Sequence, residues 1–264
     1  MGKRWLPLLA LALPLCASGC RKVEARGMAK EGNELYRSGK FDEALARFEA
    51  AAKLDPDFPV IRLHAGYAAM SLAAATEKPA SDRYAAKAIS SFARYMELAP
   101  GDDRGPKFYL QALLDSGRLD EARRFLEQQH RKNPRDLKVI SSLGVVTSKA
   151  GDFASALKWY EKRAQLLPGE ARARYLIGTL CWEHLYKNGS VVGAERVRIA
   201  DRGIAALERA VKLQPDAPGE ALTYINLLYR ERAKGQQDET AREQDMAQAR
   251  RYYERALKAL KGQK

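Results

Sequence analysis

The side chains that could carry out chemistry are few and scattered. His64, His130 and His184 stand far apart, and no His-x-x-His or Cys-x-x-Cys spacing sets two ligands side by side for zinc. All three read as surface or helix-end histidines. Gly101-Asp-Asp-Arg-Gly105 is rich in glycine but lacks the Lys-Ser/Thr ending that meets a nucleotide's phosphates, and it falls in a turn between helices. The acidic pairs Asp42-Glu43 and Asp120-Glu121 occupy first turns of helices, where a carboxylate complements the helix dipole rather than serving as acid or base. Cys181, in Tyr175-Leu-Ile-Gly-Thr-Leu-Cys-Trp182, sits at helical spacing from Gly178 and reads as a buried core thiol. No catalytic, metal or cofactor constellation emerges, so the sequence points to binding rather than catalysis.

Cys20 is different in kind. Residues 1–19 combine a cationic start at Lys3 and Arg4, an apolar run from Trp5 to Leu15 interrupted by Pro7 and Pro14, and the small residues Ala17-Ser18-Gly19. The run is shorter than the roughly 20 apolar residues a spanning helix needs, so it reads as a removable signal. The Ala-Ser-Gly-Cys ending resembles the lipobox of bacterial lipoproteins. That resemblance implies acylation of the Cys20 thiol, cleavage just before it, and a further chain on the new amino group. Each buried methylene contributes about 0.8 kcal/mol, so several chains together hold a protein durably. Arg21 follows the cysteine, where an Asp in such lipoproteins favours the inner membrane; the resemblance therefore implies the outer membrane, facing the periplasm. Cys16 leaves with the signal and Cys20 is modified, which leaves Cys181 without a disulfide partner.

The chain of 264 residues is 46% apolar, enough for a continuous core. Lys and Arg outnumber Asp and Glu by 46 to 33, a formal charge of +13, and only Lys3 and Arg4 precede Cys20, so nearly all of the surplus survives cleavage. Such a surplus favours anionic partners. Nucleic acid is not among those expected, because the basic residues are interspersed with acids on helix faces and form no stripe interleaved with aromatics.

After residue 24 the pattern is one of helix pairs. Gly39, Gly117 and Gly151 mark turns within pairs, and Pro56, Pro100, Pro134, Pro168 and Pro215 mark their ends. The first pair carries Gly32, Leu35, Ser38-Gly39-Lys40-Phe41-Asp42-Glu43-Ala44-Leu45, Phe48, Ala51 and Pro56. Gly117-Arg-Leu-Asp-Glu-Ala122 with Leu126 and Pro134 repeats it, as does Leu143-Gly144 with Gly151-Asp-Phe-Ala-Ser-Ala156, Tyr160 and Pro168. A period of about 34 residues with these signals resembles the tetratricopeptide repeat (TPR). The fold implied is all-α, a right-handed α-solenoid of about six helix-turn-helix units. Residues 1–19 are then the signal peptide, 20–27 a short linker and 28–264 the repeat domain. Units 2, 5 and 6 are elongated, by residues 74–82, by residues 184–198 and by the polar stretch Lys234 to Glu243, with looped tips.

In TPR proteins the concave face is lined by set positions of each first helix. Carried over by register, these positions are Arg26, Lys30, Asn33, Tyr36 and Arg37, then His64 and Tyr67, then Arg104, Lys107, Phe108 and Gln111. Later units add Lys138, Ser142 and Lys149, and then Arg172, Tyr175 and Trp182. The set is basic with interspersed aromatics, suited to an acidic or extended protein segment. Small lipoproteins of this appearance include pilotins, which promote assembly of the type IV pilus secretin, although units 2 and 5 are longer than the compact pilotin pattern. The expected function is a non-catalytic scaffold for an envelope complex, such as a pilus, secretin, motility or export machine. The alternative is binding of acidic polysaccharide or peptidoglycan.

Overall fold

The computed structural model describes residues 13–216 and 218–261. The first twelve residues of the expected signal peptide and the last three of the chain lie outside the described residues. Twelve helices and no strand occur among the described residues, and none of the helices is long and apolar enough to cross a membrane. The chain divides into two compact units at Arg118/Leu119, the turn of the third repeat.

Unit 1 contains α1 (Leu13–Arg37), α2 (Phe41–Leu54), α3 (Pro59–Ala75), α4 (Ala80–Leu98) and α5 (Arg104–Asp115). The α1–α2 turn shows why Gly39 is there. Its φ is +78°, and the Lys40 N–H reaches back to the Leu35 carbonyl at 3.0 Å, a glycine-terminated helix end. The α1–α2 hairpin closes on Ala44, Leu45, Phe48 and Ala51, all buried. A β-carbon on Gly32 would lie 2.8 Å from the Phe48 ring, and one on Gly66 would lie 2.4 Å from the Phe92 ring, so a bare backbone lets the aromatic seat directly on the partner helix. Interval 20–27, expected as a linker, is helical: it is part of α1, and Ala25 is fully buried. The second repeat is elongated as expected, with α3 of 17 and α4 of 19 residues. Its tip is closed by Thr76 Oγ1 donating to the Leu72 carbonyl and Ser81 Oγ to that of Ala73.

Unit 2 contains α6 (Leu119–Lys132), α7 (Leu137–Lys149), α8 (Phe153–Leu166), α9 (Ala171–Lys187), α10 (Gly193–Leu213), α11 (Gly219–Gly235) and α12 (Glu239–Lys261). Asp136 caps α7 by accepting from the Lys138 and Val139 amides, and Asp152 caps α8 by accepting from the Ser155 amide. The core runs through Leu143, Tyr160, Ile177, Cys181, Leu207, Ile225 and Leu228. The polar stretch Lys234 to Glu243 is almost entirely helical, interrupted only at residues 236–238. Arg232 donates to Asp201 and to the buried Asp245, which also accepts from the Gln236 side chain at 2.9 Å, so Asp245 ties the end of α11 and the break after it to α12. At the tip of the fifth repeat, buried Arg196 donates to the Val191 and Asn188 carbonyls and pairs with buried Glu231 of α11.

Candidate protein-binding surface

In unit 1, a row of rings from α2, α3 and α5 passes from one repeat to the next. Phe48 meets His64 edge-on at 5.7 Å, His64 stacks on Tyr67 at 6.0 Å, and Tyr67 meets Phe108 edge-on at 4.7 Å. Phe92 backs both Tyr67 and Phe108 at 5.8 Å. His64 is thus half-buried in mid-helix, not the surface or helix-end residue the sequence suggested. Burial lowers its pKa first, and the charges of Arg104 and Arg37 lower it further, so the ring is held neutral between cations.

The expected groove cations separate into two groups. Arg26, Lys30, Arg37 and Lys107 are exposed; Arg26 lies over the Phe58 ring at 5.7 Å, and Lys107 Nζ lies 5.3 Å from the Phe108 centroid. Arg104 is committed locally, donating to both carboxylate oxygens of Asp102 at 2.6 to 3.1 Å and to the Tyr95 hydroxyl at 3.1 Å. The Arg104 and Tyr95 hydrogen bonds hold the Asp102 carboxyl well below the usual carboxylate range. Gln111 is similarly engaged, donating to Asp115 at 2.6 Å. Asn33 is half-buried, and the Tyr36 hydroxyl shares a 3.3 Å hydrogen bond with Ser71. The face therefore presents exposed cations beside half-buried rings.

In unit 2, Lys138 is exposed in the first turn of α7 and Lys149 in the last, with Ser142 half-buried between them. Tyr175 packs edge-on to Tyr224 at 5.7 Å with Arg172 over its ring; burial, then the nearby Glu220 charge, pushes its hydroxyl pKa up. Trp182 stacks on Tyr186 at 5.1 Å and borders a cleft of about 410 Å³ that also involves α11 and α12. Of this lining, sequence reasoning reached only Trp182. Tyr186, Arg230, Lys234, Arg242 and Met246 lie on or beside the added tips, where the repeat register stops, although the Trp182/Tyr186 spacing of one helical turn was a visible signal.

No cluster of His, Cys, Asp or Glu that could hold a metal ion occurs among the described residues. The Cys181 thiol is fully buried, and burial pushes its pKa up to about 12. Cys20 is exposed.

No curated protein is similar to the chain in sequence. Residues 32–72 match the family described as TPR repeat. Among solved structures, the chain is similar to the crystal structure of MamA protein at 19% identity and a TM-score of 0.50, over 73% of this chain and 93% of that one. It is also similar to the C-terminal part of a TPR repeat-containing protein from Cytophaga hutchinsonii at 12% identity and a TM-score of 0.57, over 87% of this chain and 78% of that one. With its helix hairpins and glycine-seated rings, the chain has the tetratricopeptide-repeat fold.

Proposed function

We propose that this chain is a non-catalytic scaffold for protein partners, anchored through acyl chains on Cys20 to the periplasmic face of the outer membrane. There it assists assembly or stability of an envelope complex: a pilus, secretin, motility or export machine. The observation that carries the binding reading is the exposed set Arg26, Lys30, Arg37 and Lys107 on the first helices of unit 1, with Arg26 over the Phe58 ring and Lys107 over the Phe108 ring. Cations next to ring faces suit an extended segment bearing carboxylates and apolar side chains. The anchoring reading is supported by Ala17-Ser18-Gly19-Cys20 after an apolar run, and by exposure of Cys20.

The test is crosslinked co-purification of the lipidated protein from native membranes, with a Cys20→Ala control and partners identified by mass spectrometry. Recovery of an envelope-complex subunit only with the acylatable chain is the expected result. The triple variant Arg26→Glu, Lys30→Glu, Lys107→Glu then loses partner capture at unchanged helicity, and raised salt weakens capture of the unaltered chain. Undiminished capture by the triple variant removes unit 1 as the binding face. Selective retention of soluble acidic polysaccharide or peptidoglycan fragments, with no protein captured, overturns the scaffold reading in favour of glycan binding.

A further inference from the structure

The tips of the fifth and sixth repeats extend beyond the consensus hairpin, and between them lies the cleft beside Trp182. Its apolar floor is made by Trp182 and Tyr186 of α9, Leu227 of α11 and Met246 of α12, with Tyr186 67% exposed at the mouth. The rim is cationic, formed by Arg230, Lys234 and Arg242. The carboxylate in the lining, Glu231, is buried and already shared between Arg196 and Lys234; Glu239 takes up Arg242 at 2.6 Å. Arg230 Nε donates to the neutral side-chain oxygen of Asn226 at 3.1 Å. These contacts set four cations against two carboxylates, so the cleft carries an uncompensated positive charge around an aromatic floor.

We propose that this cleft holds an acidic peptide segment of a protein partner. One aromatic or aliphatic side chain of the segment seats against Trp182 and Tyr186, while its neighbouring carboxylates meet Arg230 and Lys234. The inference rests on the protein-binding reading above and gives it a second, chemically defined place. A guanidinium accepts a carboxylate in a two-pronged fork, and an apolar side chain next to that carboxylate gains by leaving water. Trp182 stacks on Tyr186 at 5.1 Å and meets Tyr224 edge-on at 5.2 Å, so the exposed Tyr186 ring at the mouth is held in place to receive the segment's apolar side chain.

The test uses the full lipid-anchored chain in detergent and the fluorescein-labelled peptide Gly-Ser-Asp-Glu-Asp-Phe, read by fluorescence anisotropy. Binding is expected, with a loss of about tenfold or more in the double variant Arg230→Glu, Lys234→Glu, and of about threefold in Tyr186→Ser. Replacing the peptide's acids by amides, or its Phe by Ser, abolishes binding. Circular dichroism confirms that the variants fold, and Lys234→Arg retains affinity. Equal affinity in the double variant overturns the proposal, as does failure of the peptide to bind at all. Loss of binding only in the Arg26→Glu, Lys30→Glu, Lys107→Glu variant also overturns it, while leaving the scaffold reading intact. Binding of polygalacturonate that depends on Arg230 and Lys234, with no peptide bound, assigns the cleft to glycan and sinks the proposal.

Discussion

Lys162 Nζ lies 2.8 Å from His130 Nε2, a hydrogen bond from α8 to α6. A lysine ammonium only donates, so the ring nitrogen accepts and His130 is neutral. Trp159 completes the cluster, edge-on to His130 at 4.9 Å and with Lys162 over its face at 5.6 Å. Burial first, and then the Lys162 charge, lowers the His130 pKa below the usual 6.5. As pH falls below 6.5 the unfolded chain takes up this proton before the folded one, so the stability linked to this site falls until the folded pKa is passed. NMR titration of the His130 ring is expected to give a midpoint below 6.5 that rises in Lys162→Ala. A midpoint at or above 6.5 in the unaltered protein would contradict the geometry.

A β-carbon on Gly178 would lie 2.2 Å from Leu207 Cγ, whereas one on Gly169 would meet nothing within 4 Å. Gly178→Ala is therefore expected to destabilise by about 1–3 kcal/mol through overpacking. Gly169→Ala should stay within about 0.5 kcal/mol of the unaltered chain, as surface substitutions do. In urea unfolding, Gly178→Ala combined with Leu207→Ala should destabilise less than the sum of the two single changes, because the shorter side chain vacates the clash. Strict additivity would mean that the two residues do not oppose each other.

The Arg196–Glu231 pair makes the opposite kind of prediction, since both side chains are almost fully buried. Glu231→Ala strands a buried guanidinium and is expected to destabilise by about 3–5 kcal/mol. Arg196→Met with Glu231→Leu should recover most of that loss in overall stability. It also strips the Asn188 and Val191 carbonyls of their donor, so hydrogen exchange in residues 188–192 should quicken even where the melting temperature is restored.

Cys181 is expected to resist alkylation. With the thiol fully buried and its pKa pushed up to about 12, very little thiolate exists at neutral pH. Iodoacetamide should leave it unmodified in the folded protein and label it fully in urea, as followed by intact mass. Rapid labelling without denaturant would show that the core around α9 opens.

The helix pairs were legible because each signal has a steric cause that needs no knowledge of the rest of the chain. Gly39, Gly117 and Gly151 all adopt positive φ, and Gly32, Gly66, Gly144 and Gly178 all face a large side chain of the partner helix. The elongated second, fifth and sixth repeats were legible for the same reason, as helical periodicity continues through their flanks. What escaped was pairing across the added tips. The Arg196–Glu231 pair has no local signal, because nothing in the sequence around either residue says that the other will arrive 35 positions away. His64 escaped similarly, since the Phe48 ring that meets it comes from the preceding hairpin. In the candidate groove, register identified the first-helix positions but not their occupancy. That Arg104 is spent on Asp102 and Gln111 on Asp115 depends on rotamers that only the packed structure fixes.

Helix α1 runs without a break from before Cys20 through the buried Ala25 into the first hairpin. At 1.5 Å of rise per residue, the five residues from Cys20 to Ala25 cover only about 8 Å. An acylated Cys20 would therefore be a rigid mount rather than a leash. The first repeat would stand against the lipid headgroups with little freedom to swing, and any partner it holds would be gathered at the bilayer surface instead of being fished for across the periplasm.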